Sequence, residues 1–288
     1  MNEPVSVWTP LSWSDLTARP RAQPDTMFRY GTDQLQVVDL WLPAGDPVGR
    51  WPTVLMVHGG CWQSSIADRR LMDWIAADLR DAGIAVWNID YRGVDRDGGG
   101  YPGTFRDAAA AADLLRDHAD TCRLNVERIV AVGHSAGGHL ALWLAARRRL
   151  PSQSPLAAGD PLPIAHVVSL GGLPDLAAVE ASPDNGCGTD VIAQLVGGDR
   201  PNRFADTSVV ELLPVGVPID LIDGAQDRIV PARMAPAFAA AAQAAGDQVR
   251  QHRINDAGHV ELIAPGTPAW AAAKAAIQDA LSTARPIE

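Results

Sequence analysis

Apolar residues follow two rhythms along this chain. Short runs that are apolar at consecutive positions, such as Val54-Leu55-Met56-Val57 and Ile129-Val130-Ala131-Val132, mark strands buried on both faces. Longer segments between them repeat apolar residues at helical spacing. Strands are predicted at 35–42, 53–57, 85–91, 128–133, 165–170, 218–222 and 249–254, and helices near 68–82, 104–119, 136–149, 231–245 and 267–284. Repeated strand–helix alternation predicts an α/β fold, a mostly parallel central sheet with helices on both faces. Segment 35–42 mixes Gln36 and Asp39 among apolar residues, the pattern of a half-covered edge strand, so antiparallel pairing is expected at the N-terminal edge.

No internal repeat interrupts this alternation, and residues 1–288 read as a single domain. Two connections are turn-rich. Segment 151–163 joins a helix to a strand, whereas 171–214 is long for a connection, carries a short predicted helix at 190–196 and is read as a pocket-covering insertion. The first 26 residues, with Trp8 and Trp13, are read as an arm packed over the domain.

Composition narrows the classes of function. Lys and Arg number 24 against 34 Asp and Glu, a formal charge of −10, which argues against nucleic acid or an anionic membrane as the main partner. With 47% hydrophobic and 20% charged residues, the chain has material for a large core and is not a disordered one. The N-terminus lacks a basic stretch leading into an apolar run, so no signal peptide is expected, and no run of about 18 apolar residues suggests a membrane span. The Ala-rich 270–281 segment is broken by Lys274, Gln278 and Asp279, as in an amphipathic surface helix. Cys61, Cys122 and Cys187 are too few and too scattered for a disulfide framework, so reduced thiols and a cytoplasmic location are the expectation. Self-association is compatible with this composition, and nothing in the pattern selects it.

The strongest chemical signal is Gly133-His134-Ser135-Ala136-Gly137, a Gly-x-Ser-x-Gly that follows a predicted strand and opens a predicted helix. A serine on so sharp a turn needs small neighbours, and a helix N-terminus favours developing negative charge. Upstream, His58-Gly59-Gly60-Cys61-Trp62 follows the buried strand 53–57, where two glycines let the backbone turn and offer amides to an anion. A serine needs a base, and the base an orienting acid. His259 lies in a loop after the last strand and before the C-terminal helix, while His118, His134, His139, His166 and His252 read as surface or core histidines. Asp227 is the leading acid, just past a strand and a Gly turn, with Asp223, Asp256 and Glu261 as rivals. The chain order Ser135, Asp227, His259 suits three loops meeting at one sheet edge.

On these residues the chain resembles the α/β-hydrolase superfamily of serine hydrolases, over about 53–281. The His58-to-Trp62 stretch is similar to the His-Gly-Gly-x-Trp motif of kynurenine formamidases and related carboxylesterases, with Cys61 in place of the frequent aromatic, Gly or Ala. The resemblance implies an oxyanion hole of the Gly60 and Cys61 amides, completed by that of Ala136. It implies a carboxylesterase acting on a small-molecule ester or activated amide, with no cofactor and no metal. An arylformamidase hydrolysing N-formylkynurenine is the alternative, and a non-catalytic binding protein on the same fold a more distant one. Trp62 and Tyr101 are candidate pocket residues.

Other signals carry less. Gly98-Gly99-Gly100-Tyr101-Pro102-Gly103 fits a dinucleotide fingerprint literally but lies several residues past its strand, so it reads as a flexible loop near the active-site edge. His58 and Cys61 lack the second ligand pair that zinc requires.

Overall fold

A computed structural model describes residues 8–283 of the chain. Eight strands, β1 (Thr26–Arg29), β2 (Val37–Trp41), β3 (Thr53–Val57), β4 (Ala85–Ile89), β5 (Val130–His134), β6 (His166–Leu170), β7 (Ile219–Gly224) and β8 (Val249–Ile254), form one sheet in the order β1-β2-β4-β3-β5-β6-β7-β8. Strands β4, β3 and β5 to β8 run parallel, while β2 is antiparallel to both β1 and β4. The expected mostly parallel sheet with an antiparallel N-terminal edge is therefore present.

The consecutive apolar runs follow from a sheet covered on both sides, since neighbouring strand residues point to opposite faces. Leu55, Val57, Ala131 and Val167 pack into one core with Phe105, Leu140 and Phe238, from the helices Gly103–Asp113, Ala136–Ala145 and Met234–Ala244. Val54, Met56, Val130, Val132 and Val168 pack into the other with Ile75, Ala273 and Ile277, from the helices Asp73–Asp81 and Pro268–Thr283. The predicted 267–284 helix ends in this structure at Thr283, with Ala284 outside the described residues.

Segment 35–42 departs from expectation. Its strand β2 is buried at every position and lies inside β1, which takes the exposed edge. Asp39 gave it a half-solvated look, but the side chain is buried, with Arg69 Nε donating to Oδ2 at 2.6 Å while Oδ1 has no partner among the described residues. Strand β1, Thr-Met-Phe-Arg, has no alternation that a sequence reading could detect.

The cysteine expectation is corrected outright. Cys61 and Cys187 form a disulfide across 126 residues, with Cα atoms 5.3 Å apart, and Cys122 remains free. Spacing in sequence carried no hint of it, because the fold alone brings the two loops together. The insertion that holds Cys187 contains the helices Leu176–Glu180 and Asp190–Val196, the second as expected.

One buried charge ties three parallel strands. Asp220 on β7 accepts from Arg250 (2.8 and 2.7 Å) on β8 and bonds His252 (2.7 Å) on β8 and His166 (2.7 Å) on β6. Burial alone would raise its pKa, but these hydrogen bonds outweigh burial and hold the carboxyl well below the usual carboxylate range. A folded-state pKa below the unfolded one stabilises the fold fully above pH ~4 and loses that contribution as pH falls further. Asp220→Asn should cost about 2 kcal/mol near neutral pH, a figure kept modest because Arg250 and His252 are partly solvated. Urea unfolding of both proteins should show this gap narrowing steadily below pH ~4; a gap independent of pH would refute the assignment.

Candidate active site

The serine turn is shaped by close packing. The helix Ala136–Ala145 approaches β5 and β3 so nearly that a Cβ on Gly133 would lie 2.0 Å from the Gly137 carbonyl oxygen, and one on Gly137 2.2 Å from that of Val57. Both positions therefore require glycine. Between them the backbone reverses through Ser135 at φ 55° and ψ −122°, a left-handed conformation that a side-chain-bearing residue rarely adopts. The Ser135 amide donates to the Leu170 carbonyl at 2.8 Å, which fixes the turn against the end of β6.

Asp227 and His259 meet at the same edge of the sheet. His259 Nδ1 lies 2.6 Å from Asp227 Oδ2, while Asp227 Oδ1 accepts the amides of Ile229 and Val230 at 2.7 and 2.9 Å. Burial would raise the Asp227 pKa, but His259 and the two amides outweigh it and hold the group below the ordinary carboxylate value. A carboxylate can only accept, so Nδ1 carries the proton of this bond.

The rival acids stand elsewhere. Asp223 is pushed up to about 7, by burial first and then by the Asp227 charge, and Asp256 is exposed. Glu261 is buried and spans the Leu11 amide (2.5 Å) and the Gly258 amide (2.9 Å).

Ser135 follows His134, whose ring packs against that of His259, and no hydrogen bond joins Ser135 to His259 among the described residues; such contacts often tighten only with substrate bound. Gly171 separates Leu170 from the imidazole; a Cβ there would lie 3.3 Å from His259 Cε1. The His134 ring packs 4.4 Å from the His259 ring, centroid to centroid, and His134 Nε2 is 3.1 Å from the His259 carbonyl oxygen. Burial, and next the adjacent His259, hold the His134 pKa well below its ordinary value, so His134 is neutral at neutral pH and supports the His259 loop as a donor.

The Gly60–Trp62 loop follows β3. Gly60, Cys61 and Trp62 have φ of 107°, 52° and 56°, and the Gly60 and Cys61 amides donate to no protein acceptor among the described residues. Ala136 opens its helix, so its amide belongs to the first-turn donors that lack an intrahelical partner. Behind the loop, His58 Nε2 lies 3.0 Å from Asp90 Oδ1, and Tyr91 donates its hydroxyl to the His58 carbonyl at 2.9 Å.

Two sequence candidates are placed differently from expectation. Trp62 is wholly buried and donates its indole N–H to His139 Nδ1 at 3.2 Å, so no face of it opens to a substrate. That bond leaves the His139 proton on Nε2, facing the Thr207 carbonyl at 2.8 Å, and burial drops the His139 pKa to about 4. Tyr101 spends its hydroxyl on Asp206 at 3.0 Å under the Arg200 guanidinium. The glycine-rich loop is anchored through it, since the Tyr101 amide also donates to Gln194 at 3.3 Å; the loop is a packed turn rather than a flexible one.

Sequence reasoning missed the side chain beside His259. Trp13, on the short helix Trp13–Thr17, places its ring 6.1 Å from His259 and 6.2 Å from His134, edge-on to both, with 40% of it exposed. Only its place in the N-terminal arm was legible; the arm is anchored by Leu16 in the core, Leu11 on Glu261 and Arg19 on the Pro265 carbonyl. Residues 1–7 of that arm lie outside the described residues. A cavity of about 940 Å³ opens at the opposite end of the strands beside Arg148, Arg149 and His166, away from all of these groups. No cluster of His, Cys, Asp or Glu suited to a metal occurs among the described residues.

Strand order, with a serine on a left-handed turn between β5 and its helix, defines the α/β-hydrolase class. Within it, residues 38–241 match the BD-FAE family, and the chain belongs to that family. Esterase LipC of Mycobacterium tuberculosis is 26% identical over 238 residues, covering 80% of this chain and 58% of that protein, so the chain spans little more than half of that relative's length. Among solved structures, esterase B from Lactobacillus Rhamnosis superposes with a TM-score of 0.75 at 20% identity, over 94% of this chain and 92% of that one. A truncated carbohydrate esterase from gut microbiota gives 0.72 at 20% identity, over 91% and 98%. At such identities the structural likeness speaks for the fold alone.

Glu261 is the joint between the arm and the His259 loop. Glu261→Ala should speed hydrogen exchange at the Leu11 and Gly258 amides by about 10-fold or more, the loss expected of hydrogen bonds to a charged group. Unchanged protection at both amides would show that the clamp carries no weight.

Proposed function

We propose that this chain is a serine carboxylesterase cleaving small-molecule esters through an acyl-enzyme. The observation that carries this reading is Ser135, held on its left-handed turn at the sheet edge where His259 is already paired with Asp227. In this reading His259 Nε2 takes the Ser135 proton as Oγ attacks the carbonyl carbon. The amides of Gly60, Cys61 and Ala136 receive the oxyanion, and the imidazolium, steadied by Asp227, returns the proton to the departing alcohol. Water repeats the cycle on the acyl-enzyme. These steps use only the chain's own groups and need no cofactor.

The likeness to esterase LipC supports the choice of an ester. We read residues 1–288 as one catalytic unit, with 171–214 covering the pocket and Trp13 bordering the leaving group, because the proton donor must face the departing oxygen. An aromatic alcohol suits a half-exposed indole. No helix among the described residues is long and apolar enough to cross a membrane. The cytoplasmic expectation rested on reduced thiols and on an N-terminus unlike a signal peptide, and the Cys61–Cys187 bridge removes the first of these grounds.

Ser135→Ala should lower kcat on p-nitrophenyl acetate by about 10⁶-fold, and Asp227→Asn by about 10⁴-fold, measured in steady state on folded protein. Turnover of the Ser135 variant near the native level would overturn the mechanism, and with it the enzyme reading would pass to a binding role for the fold. N-formyl-L-kynurenine assayed in parallel should be the poorer substrate; a kcat/KM well above that of the ester would make the chain an arylformamidase instead. Trp13→Ala should raise KM for aryl esters several-fold, on the order of one lost aromatic contact, while leaving KM for methyl esters nearly unchanged. Equal effects on both would remove Trp13 from leaving-group recognition.

A further inference from the structure

Building on the oxyanion role read above for Cys61, we propose that Cys187 is a positioning residue. Its disulfide holds the Cys61 amide in place, so that turnover follows the state of that one bond.

The loop is tied down on both sides of Cys61 and not at Cys61 itself. The Gly60 carbonyl accepts the Gln63 amide at 2.9 Å, and the Trp62 carbonyl accepts the Val94 amide at 2.8 Å. Trp62 is further fixed by complete burial and its bond to His139. The Cys61 peptide, by contrast, makes no hydrogen bond through its N–H or its C=O among the described residues. Its φ of 52° is one that a residue with a Cβ holds only under constraint from outside. The Cys61 N–H shares a peptide plane with the bonded Gly60 carbonyl, and the sulfur is the tether on the Cα side of that plane.

The far end of that tether is well anchored. Cys187 N donates to Asn185 Oδ1 at 2.9 Å, and Asn185 Nδ2 donates to the carbonyls of Val179 (3.0 Å) and Ser182 (2.7 Å). The neighbouring Gly186 amide donates to the Ile229 carbonyl at 2.7 Å, and the Ile229 amide in turn donates to Asp227 Oδ1 at 2.7 Å. One short stretch is therefore bonded at Gly186 to the turn that carries the acid and at Cys187 to the loop that receives the oxyanion. The disulfide sets the spacing between the two ends of the site, besides cross-linking the chain.

Reduction by a dithiol releases this tether. A reagent thiolate attacks one sulfur and breaks the Cys61–Cys187 bond; the reagent's second thiol then closes its own disulfide. Two electrons pass to the protein, and two protein thiols are left.

The test compares native and dithiothreitol-reduced protein, with thiols counted at one and three per chain and secondary structure checked by circular dichroism. Misplacing one oxyanion donor should lower kcat for a short-chain ester by about 10- to 100-fold, with KM nearly constant. Affinity for an alkyl boronic acid, which forms a tetrahedral adduct on the serine, should fall in parallel. Reoxidation should restore both, Cys122→Ala should respond as wild type does, and Cys187→Ala should stay slow with or without reductant. A fully reduced protein that keeps its kcat, or one that loses activity only as it unfolds, overturns the proposal. An active Ser135→Ala would instead overturn the catalytic reading beneath it; an inactive Ser135→Ala beside a redox-indifferent wild type would overturn the Cys187 role alone.

Discussion

The closeness of one helix to two strands governs the carboxyl edge of the sheet. Because the helix Ala136–Ala145 lies almost in contact with the β3 and β5 backbones, no side chain fits at Gly133 or Gly137. The chain must reverse within one residue, and Ser135 takes the left-handed conformation of that reversal. The same approach brings the helix N-terminus up to the Gly60–Trp62 loop, since both are built on the ends of adjacent parallel strands, β3 and β5. Had the helix stood farther off, the serine could relax. Strain at this residue is sustained by two hydrophobic cores, one on each face of the sheet.

Around this point the polar groups are organised by hydrogen bonds and burial. His259 presents Nε2, and behind it His134 is kept neutral by burial, so a second positive charge does not compete with the imidazolium that catalysis would form. Asp227 lies to one side, its spare oxygen lone pairs taken by two amides that lock its orientation. Asp223, four residues earlier, is pushed up to about 7 by burial and by Asp227, so the acid turn concentrates its charge on the carboxylate that faces His259.

Much of this was legible in the chain because it is enforced by local rules. Consecutive apolar positions announced β3 and β5, and the glycine spacing around Ser135 announced the close approach that the coordinates display. Asp227 and His259 could be named because strand-end loops in a parallel sheet share an edge. What escaped was tertiary. Strand β1 has no periodicity and exists only through pairing with β2; Asp39 disguised β2 as an edge strand because Arg69, its partner, lies 30 residues away. Trp62 belongs to the motif but serves the core, and Trp13 lies beside His259 through contacts made by Leu11, Leu16 and Arg19. The Cys61–Cys187 pairing is of the same kind, a proximity of loops with no trace in spacing.

The Leu11–Glu261 bond has a consequence for how the molecule is made. Its two ends are 250 residues apart, so on a ribosome the arm emerges first and waits until nearly all of the chain has followed. Throughout that interval Trp13 can meet His134 but not the His259 ring, and the His259 loop does not yet exist. The arm is thus made long before its partner at Glu261, a contact of high sequence separation. A nascent chain stalled short of residue 261 would carry a finished serine turn and an unfinished site, its arm free for a chaperone to hold.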